Sequence, residues 1–142
     1  MSDAAGIVFL VGRVVFALPF LMSAIAFHLR QGAQAEGYAK SVGFPFPKLA
    51  GWPAGVWLLA GAGSVAAGVW PDLGSLMIAL WAIPTVIWFH PFWKMEGEQR
   101  MMQQLLFGRN VMFLGAGLAL FAVWAALGPE APFTLVDPVI RF

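Results

Sequence analysis

Leu73–Trp93 reads LGSLMIALWAIPTVIWFHPFW, 21 consecutive residues without an Asp, Glu, Lys or Arg. A helix rises about 1.5 Å per residue, so about 20 apolar residues match a hydrocarbon core of about 30 Å. Three further stretches have the same character: Ile7–Phe27, broken only by Arg13, then Leu49–Trp70 and Asn110–Pro129. Lipid offers no hydrogen-bond partner to a bare backbone, so such segments must be helices or barrel strands. Unbroken apolar runs exclude the alternation of barrel strands. The expected fold is all-α: a polytopic membrane protein, an antiparallel bundle of four transmembrane helices in one domain, residues 1–142.

Composition agrees. Hydrophobic residues make up 61% of the 142-residue chain and charged residues 11%, against about 25% charged in ordinary soluble domains. A chain this short leaves much of its surface outside, so a soluble fold could not hide that much apolar area. The net charge of +1 suggests neither nucleic acid nor an acidic partner. With no cysteine, disulfides, thiolate metal sites and Fe–S ligation are excluded. Ser23-Ala24-Ile25-Ala26 imitates a signal-peptide cleavage site. However, Asp3 precedes the first run, no early Lys or Arg does, and the run is long, so its retention as the first helix is expected.

The connections are unequal. His28–Lys48 reads as a Gly- and Pro-bearing loop, while Pro71-Asp72 is a tight turn that makes the second and third spans antiparallel neighbours. In Lys94–Arg109, Met101, Met102, Leu105 and Leu106 recur at helical spacing, with Glu98, Gln99, Gln103 and Gln104 on other faces. This segment is either an amphipathic interfacial helix, bending near Gly108 into the last span, or the start of a longer tilted helix. The loops 28–48 and 94–109 carry Arg30, Lys40, Lys48, Lys94, Arg100 and Arg109, against Arg141 alone on the other side, or with Arg13 if that residue lies at a surface. The excess puts both loops in the cytoplasm and both termini outside. Trp52, Trp57, Trp88 and Trp93 then lie near the cytoplasmic headgroups, Trp70 and Trp124 near the opposite ones, and Trp81 in mid-span.

Small residues spaced by four let membrane helices approach closely. Gly51 and Gly55, Ala60, Ser64 and Gly68, and Gly115 and Ala119 are the helix-packing candidates, within the bundle or against another copy or subunit. Pro19 and Pro84 are expected to kink the first and third spans and to free carbonyls that could face a cavity. Arg13 is the one charge inside a span. It is either a ligand for an anion, headgroup or quinone carbonyl, or an anchor at the outer interface paired with Asp72. His28 and His90 close two spans at one interface, which makes a bis-imidazole haem geometrically conceivable. No second shell of carboxylates supports it, so neither haem nor a metal is expected. Proton exchange with a bound quinone suits the two histidines better. No nucleophile–base pair, paired-carboxylate site or phosphate loop is visible, and no catalytic residue can be nominated.

An early Arg13 in the first span, Gly37-Tyr38, Gly43-Phe44-Pro45 and a Gly/Leu-rich second span together resemble the DoxX family. His90-Pro91-Phe92-Trp93, a Glu-bearing loop and Arg109-Asn110 opening the last helix complete the likeness, which runs from about Gly12 to Gly128. His28 departs from it, standing where a Lys is frequent. The resemblance implies a four-helix protein of the bacterial inner membrane, associated with quinol oxidase or thiosulfate–quinone oxidoreductase systems or with membrane complexes managing oxidative stress. It implies an accessory, partner-docking subunit of a quinone-linked redox system, or else a protein with its own quinone or lipid pocket; a small oligomeric transporter built around Arg13 is a further alternative. The expected partners are the lipid bilayer and other redox subunits or a second copy, with no tightly bound cofactor. For a quinone pocket, the resemblance and the topology together nominate His90, Trp93, Arg109 and Asn110, with Phe44 and Phe46 as an apolar wall.

Overall fold

A computed structural model describes all residues, Met1–Phe142, and contains five α-helices. These are α1 (Asp3–Ser23), α2 (Gly32–Ser41), α3 (Trp52–Ala67), α4 (Pro71–Pro84) and α5 (Gly97–Leu127). No strand forms; the one β-type contact is an isolated bridge between Val69 and Val136. With their continuations, Asp3–Leu29, Pro71–Lys94 and Gly97–Glu130 are long and apolar enough to cross a membrane.

The second apolar stretch is shorter as a helix than as a sequence. Leu49 and Ala50 belong to a 3₁₀ turn, Pro47–Ala50, and α3 has 16 residues in place of the expected Leu49–Trp70. A helix of that length rises about 24 Å. Gly68 sets its end: it adopts φ 71°, a left-handed conformation that a Cβ disfavours. Gly68 is therefore a cap and not a packing residue along α3.

Two other expectations are corrected. The loop 28–48 contains α2, whose Ala35 and Ala39 bury against Ala50, flanked by Phe27, Phe44 and Phe89. Gly43 ends this helix with φ 77°, and the Phe44 N–H bonds back to the Ala39 carbonyl. No separate interfacial segment precedes the last span: 97–109 is the first part of one continuous α5, with Gly108 inside it. An interior glycine costs a helix only about 1 kcal/mol relative to alanine, too little to break a run in which Met102, Leu105, Leu106 and Arg109 keep helical spacing.

α3 packs against α1 and α4, and α5 against α4. Phe20, Leu58, Val65 and Ile78 are central to the core, with Ala17, Ala24 and Ala62 as the small residues between them. α1 meets α5 through rings, Phe9 on Trp124 at 4.6 Å and Phe20 on Phe113 at 4.7 Å. Close helix approach also depends on glycines that are not among those expected. A Cβ on Gly74 would lie 2.6 Å from the Gly61 carbonyl oxygen, and one on Gly117 3.1 Å from that of Ser75. Gly51 and Gly55 do meet neighbours, Glu36 and Leu29, and Ser64 lies against Gly74. Ala60, Gly115 and Ala119 face outward, and around Gly115 there is open space.

The segment after α5 folds back over one end of the bundle. Gly68 O accepts from the N–H groups of Leu135 and Val136, and Phe142 N–H reaches Ala125 O. Arg13, 2% exposed, donates to the carbonyls of Pro132 and Phe133. Asp72, fully buried, accepts from Val139 N–H at 3.0 Å and Ile140 N–H at 2.8 Å. The expected Arg13–Asp72 pair is thus replaced by two separate clamps on the C-terminal strap, because backbone groups that need partners lie nearer to each charge.

Candidate functional site

At the other end of the bundle lies a cavity of about 690 Å³. That volume is within the about 300–1,000 Å³ typical of small-molecule sites. Its walls come from five places: the end of the first span, α2, the start of α3, the end of the third span and the first turns of α5. Phe27, Phe44, Leu49, Trp57, Leu80, Trp81, Phe89 and Leu106 supply apolar surface. His28, Tyr38, Thr85, His90, Gln103, Arg109 and Asn110 supply the main polar groups.

Two irregular segments shape it. After α1 the chain continues as a wider π-helical segment, Ala24–Leu29, and after α4 as another, Thr85–Phe89. Each follows a proline inside its helix, Pro19 or Pro84. Proline removes an N–H and crowds the preceding turn, and π-type turns inside α-helices are frequent at functional sites. Here they deliver Phe27 and His28 from one side and Thr85 and Phe89 from the other.

The polar groups are held by specific bonds. His28 is 5% exposed, and its Nδ1 lies 2.6 Å from the Ala50 carbonyl oxygen. A carbonyl only accepts, so this nitrogen carries the proton. The Tyr38 hydroxyl donates to Phe89 O at 2.6 Å, and the Thr85 hydroxyl to Ala82 O at 2.6 Å. His90 Nδ1 meets Gln103 Oε1 at 2.8 Å. Asn110, 2% exposed, donates from Nδ2 to Leu106 O at 2.8 Å, and its Oδ1 lies 3.4 Å from Thr85 Oγ1. Burial pushes the Tyr38 phenol above its ordinary value, so it keeps its proton and stays a donor to Phe89. Arg109 is exposed at the rim, with its guanidinium 5.9 Å from the Phe113 ring centre.

Of the nominated binding residues, His90, Arg109 and Asn110 line this cavity. Trp93 does not; it is 51% exposed and packs on Phe92 and Phe107. Arg13 is at the opposite end, under the strap, where its guanidinium also lies 5.4 Å from the Trp124 ring centre. Phe44 lines the cavity and Phe46 lies outside it. Sequence reasoning missed Tyr38, Thr85 and Gln103. The signals available were the spacing Ala35, Tyr38, Ala39, which puts the chain's only tyrosine on the face α2 buries, and a threonine directly after an intrahelical proline.

Protein-family models, curated proteins and solved structures give no match to this chain. Fold and cavity by themselves define its class: an all-helical protein with three helices of membrane-crossing length and a cavity of about 690 Å³ at one end.

Proposed function

We propose that this chain is a DoxX-like integral membrane protein that crosses the bilayer four times and binds a ring-bearing amphipathic ligand of quinone size. The observation that carries this reading is the cavity, an apolar chamber with a few convergent polar groups. An accessory subunit that only docks a partner has no need of such a chamber, so it favours a protein with its own pocket. The resemblance to DoxX supplies the setting, a quinone-linked redox system in a bacterial inner membrane.

The charge distribution supports an orientation. The segments holding Arg30, Lys40, Lys48, Lys94, Arg100 and Arg109 lie at the cavity end, and Arg141 belongs to the strap at the other. The excess of basic residues in short connections directs the cavity end to the cytoplasm and both termini to the opposite face. α3, with the turn before it, then makes the remaining crossing, the shortest of the four once the continuations of the others are counted.

The test is extraction. Protein purified in mild detergent is treated with organic solvent, and the extract is analysed by mass spectrometry for isoprenoid quinones and other ring-bearing lipids. The expected result is a quinone-class molecule that is present with wild type and reduced at least about tenfold in Ala54→Trp, a change that fills the cavity; a tenfold loss corresponds to about 1.4 kcal/mol of binding. Absence of any such molecule, together with no saturable binding of added quinone, would falsify the reading.

A further inference from the structure

We propose that the cavity selects its ligand through a ring hydroxyl, taking the phenol or hydroquinone form in preference to the corresponding quinone or ether. This rests on the reading of the cavity as a ring-binding site and adds the chemistry by which that site discriminates.

Three polar side chains on the wall have committed their donor to a backbone carbonyl at 2.6 Å: His28 to Ala50, Tyr38 to Phe89 and Thr85 to Ala82. A hydroxyl has one proton, and a neutral imidazole has one N–H. With those protons spent, what each group keeps for a ligand is a lone pair: Nε2 of His28 and the oxygens of Tyr38 and Thr85. His28 and Thr85 are more than nine-tenths buried and line the cavity, so their remaining lone pairs are reached through it. No carboxylate lines the cavity to draw a second proton onto His28.

The α5 side has the opposite character. Asn110 spends one N–H on Leu106 and keeps the other, while Gln103 and Arg109 bring further donors. A ligand oxygen meeting α5 only has to accept, which carbonyls, ethers and hydroxyls all do. An oxygen meeting His28, Tyr38 or Thr85 must donate. A quinone carbonyl or a methyl ether there sets lone pair against lone pair, whereas a ring hydroxyl forms a bond. Leaving a buried acceptor unpaired is what separates analogues that differ by one proton.

The pair para-hexylphenol and its methyl ether differs at that proton, which a methyl group replaces in the ether. Each is titrated into wild-type protein in phosphatidylcholine nanodiscs, with empty nanodiscs correcting for partition into lipid. Trp57 and Trp81 line the cavity, so tryptophan fluorescence reports occupancy. The phenol is expected to bind about tenfold more tightly than the ether, and His28→Phe is expected to shrink that gap. Equal affinities, or a tighter ether, overturn the hydroxyl selection while leaving the cavity as a ring-binding site. Saturable binding of neither compound, and of no quinone, overturns both. A folded His28→Phe protein that retains the full gap overturns the role of His28, and the wild-type comparison decides the main point even if that variant does not fold.

Discussion

Arg13, His28, Asp72, Ser75, Thr85 and Asn110, the buried polar residues of this protein, each bond to backbone, whereas the indole N–H of buried Trp124 has no partner. Asp72 holds two N–H groups of the strap through one oxygen, and Arg13 holds two of its carbonyls. Bonds to a charged partner contribute more than neutral ones, so Asp72→Ala is expected to lower stability by about 3 kcal/mol. Hydrogen exchange read by mass spectrometry checks this directly: the Val139 and Ile140 amides are protected in the native protein and exchange freely in the variant. Tyr38 permits a pH test because it is the only tyrosine. Burial raises its folded-state pKa above the ordinary value of 10.0. Its contribution to stability is therefore fully present below that ordinary value and is lost as pH rises through the folded one. Ultraviolet titration should show the phenolate appearing later in the native protein than in the unfolded chain. Tyr38→Phe should flatten the alkaline loss of stability.

Helix pairs are decided where backbones come close. α3 and α4 meet at Gly61 and Gly74, with room for hydrogen and not for a methyl group. Gly74→Leu is expected to destabilise by about 3 kcal/mol, since the helices must separate to admit the side chain. Gly115→Leu is the matched control: open space surrounds that position, and the change should stay within about 0.5 kcal/mol. Denaturant unfolding of the two variants side by side separates them. α2 is the least apolar element, and its place on the cavity depends on Ala35 and Ala39 alone among fully buried side chains. Ala39→Asp should release α2 and open the cavity while the long helices stay intact, giving a small loss of ellipticity and a large loss of ligand binding.

At the scale of the molecule the two ends differ. One is closed by the strap and its two charge clamps; the other holds the cavity, the π-helical segments and the basic connections. The chain has no cysteine, so single-cysteine labelling gives a clean reading of topology. With an impermeant thiol reagent, Ser2→Cys and Asp137→Cys are expected to react from one side of a sealed vesicle. Gln34→Cys and Glu98→Cys are expected to react from the other. Labelling of Ser2→Cys and Glu98→Cys from the same side defeats the four-crossing arrangement.

The chain by itself settled that the protein is helical and where its long apolar segments lie, because lipid forces the hydropathy of every crossing helix into the local sequence. The nomination of His90, Trp93, Arg109 and Asn110 drew on the resemblance to DoxX as well as on the topology, and Trp93 lies outside the cavity that the other three line. The chain alone could not settle α2, whose buried face is two alanines with little hydropathy signal, or the fate of Arg13, whose partners are backbone carbonyls about 120 residues away. The cavity belongs to tertiary structure for the same reason. His28, Tyr38, Thr85 and Asn110 come from four separate elements, and only the folded backbone determines which carbonyl takes each proton and which lone pair is left for a ligand.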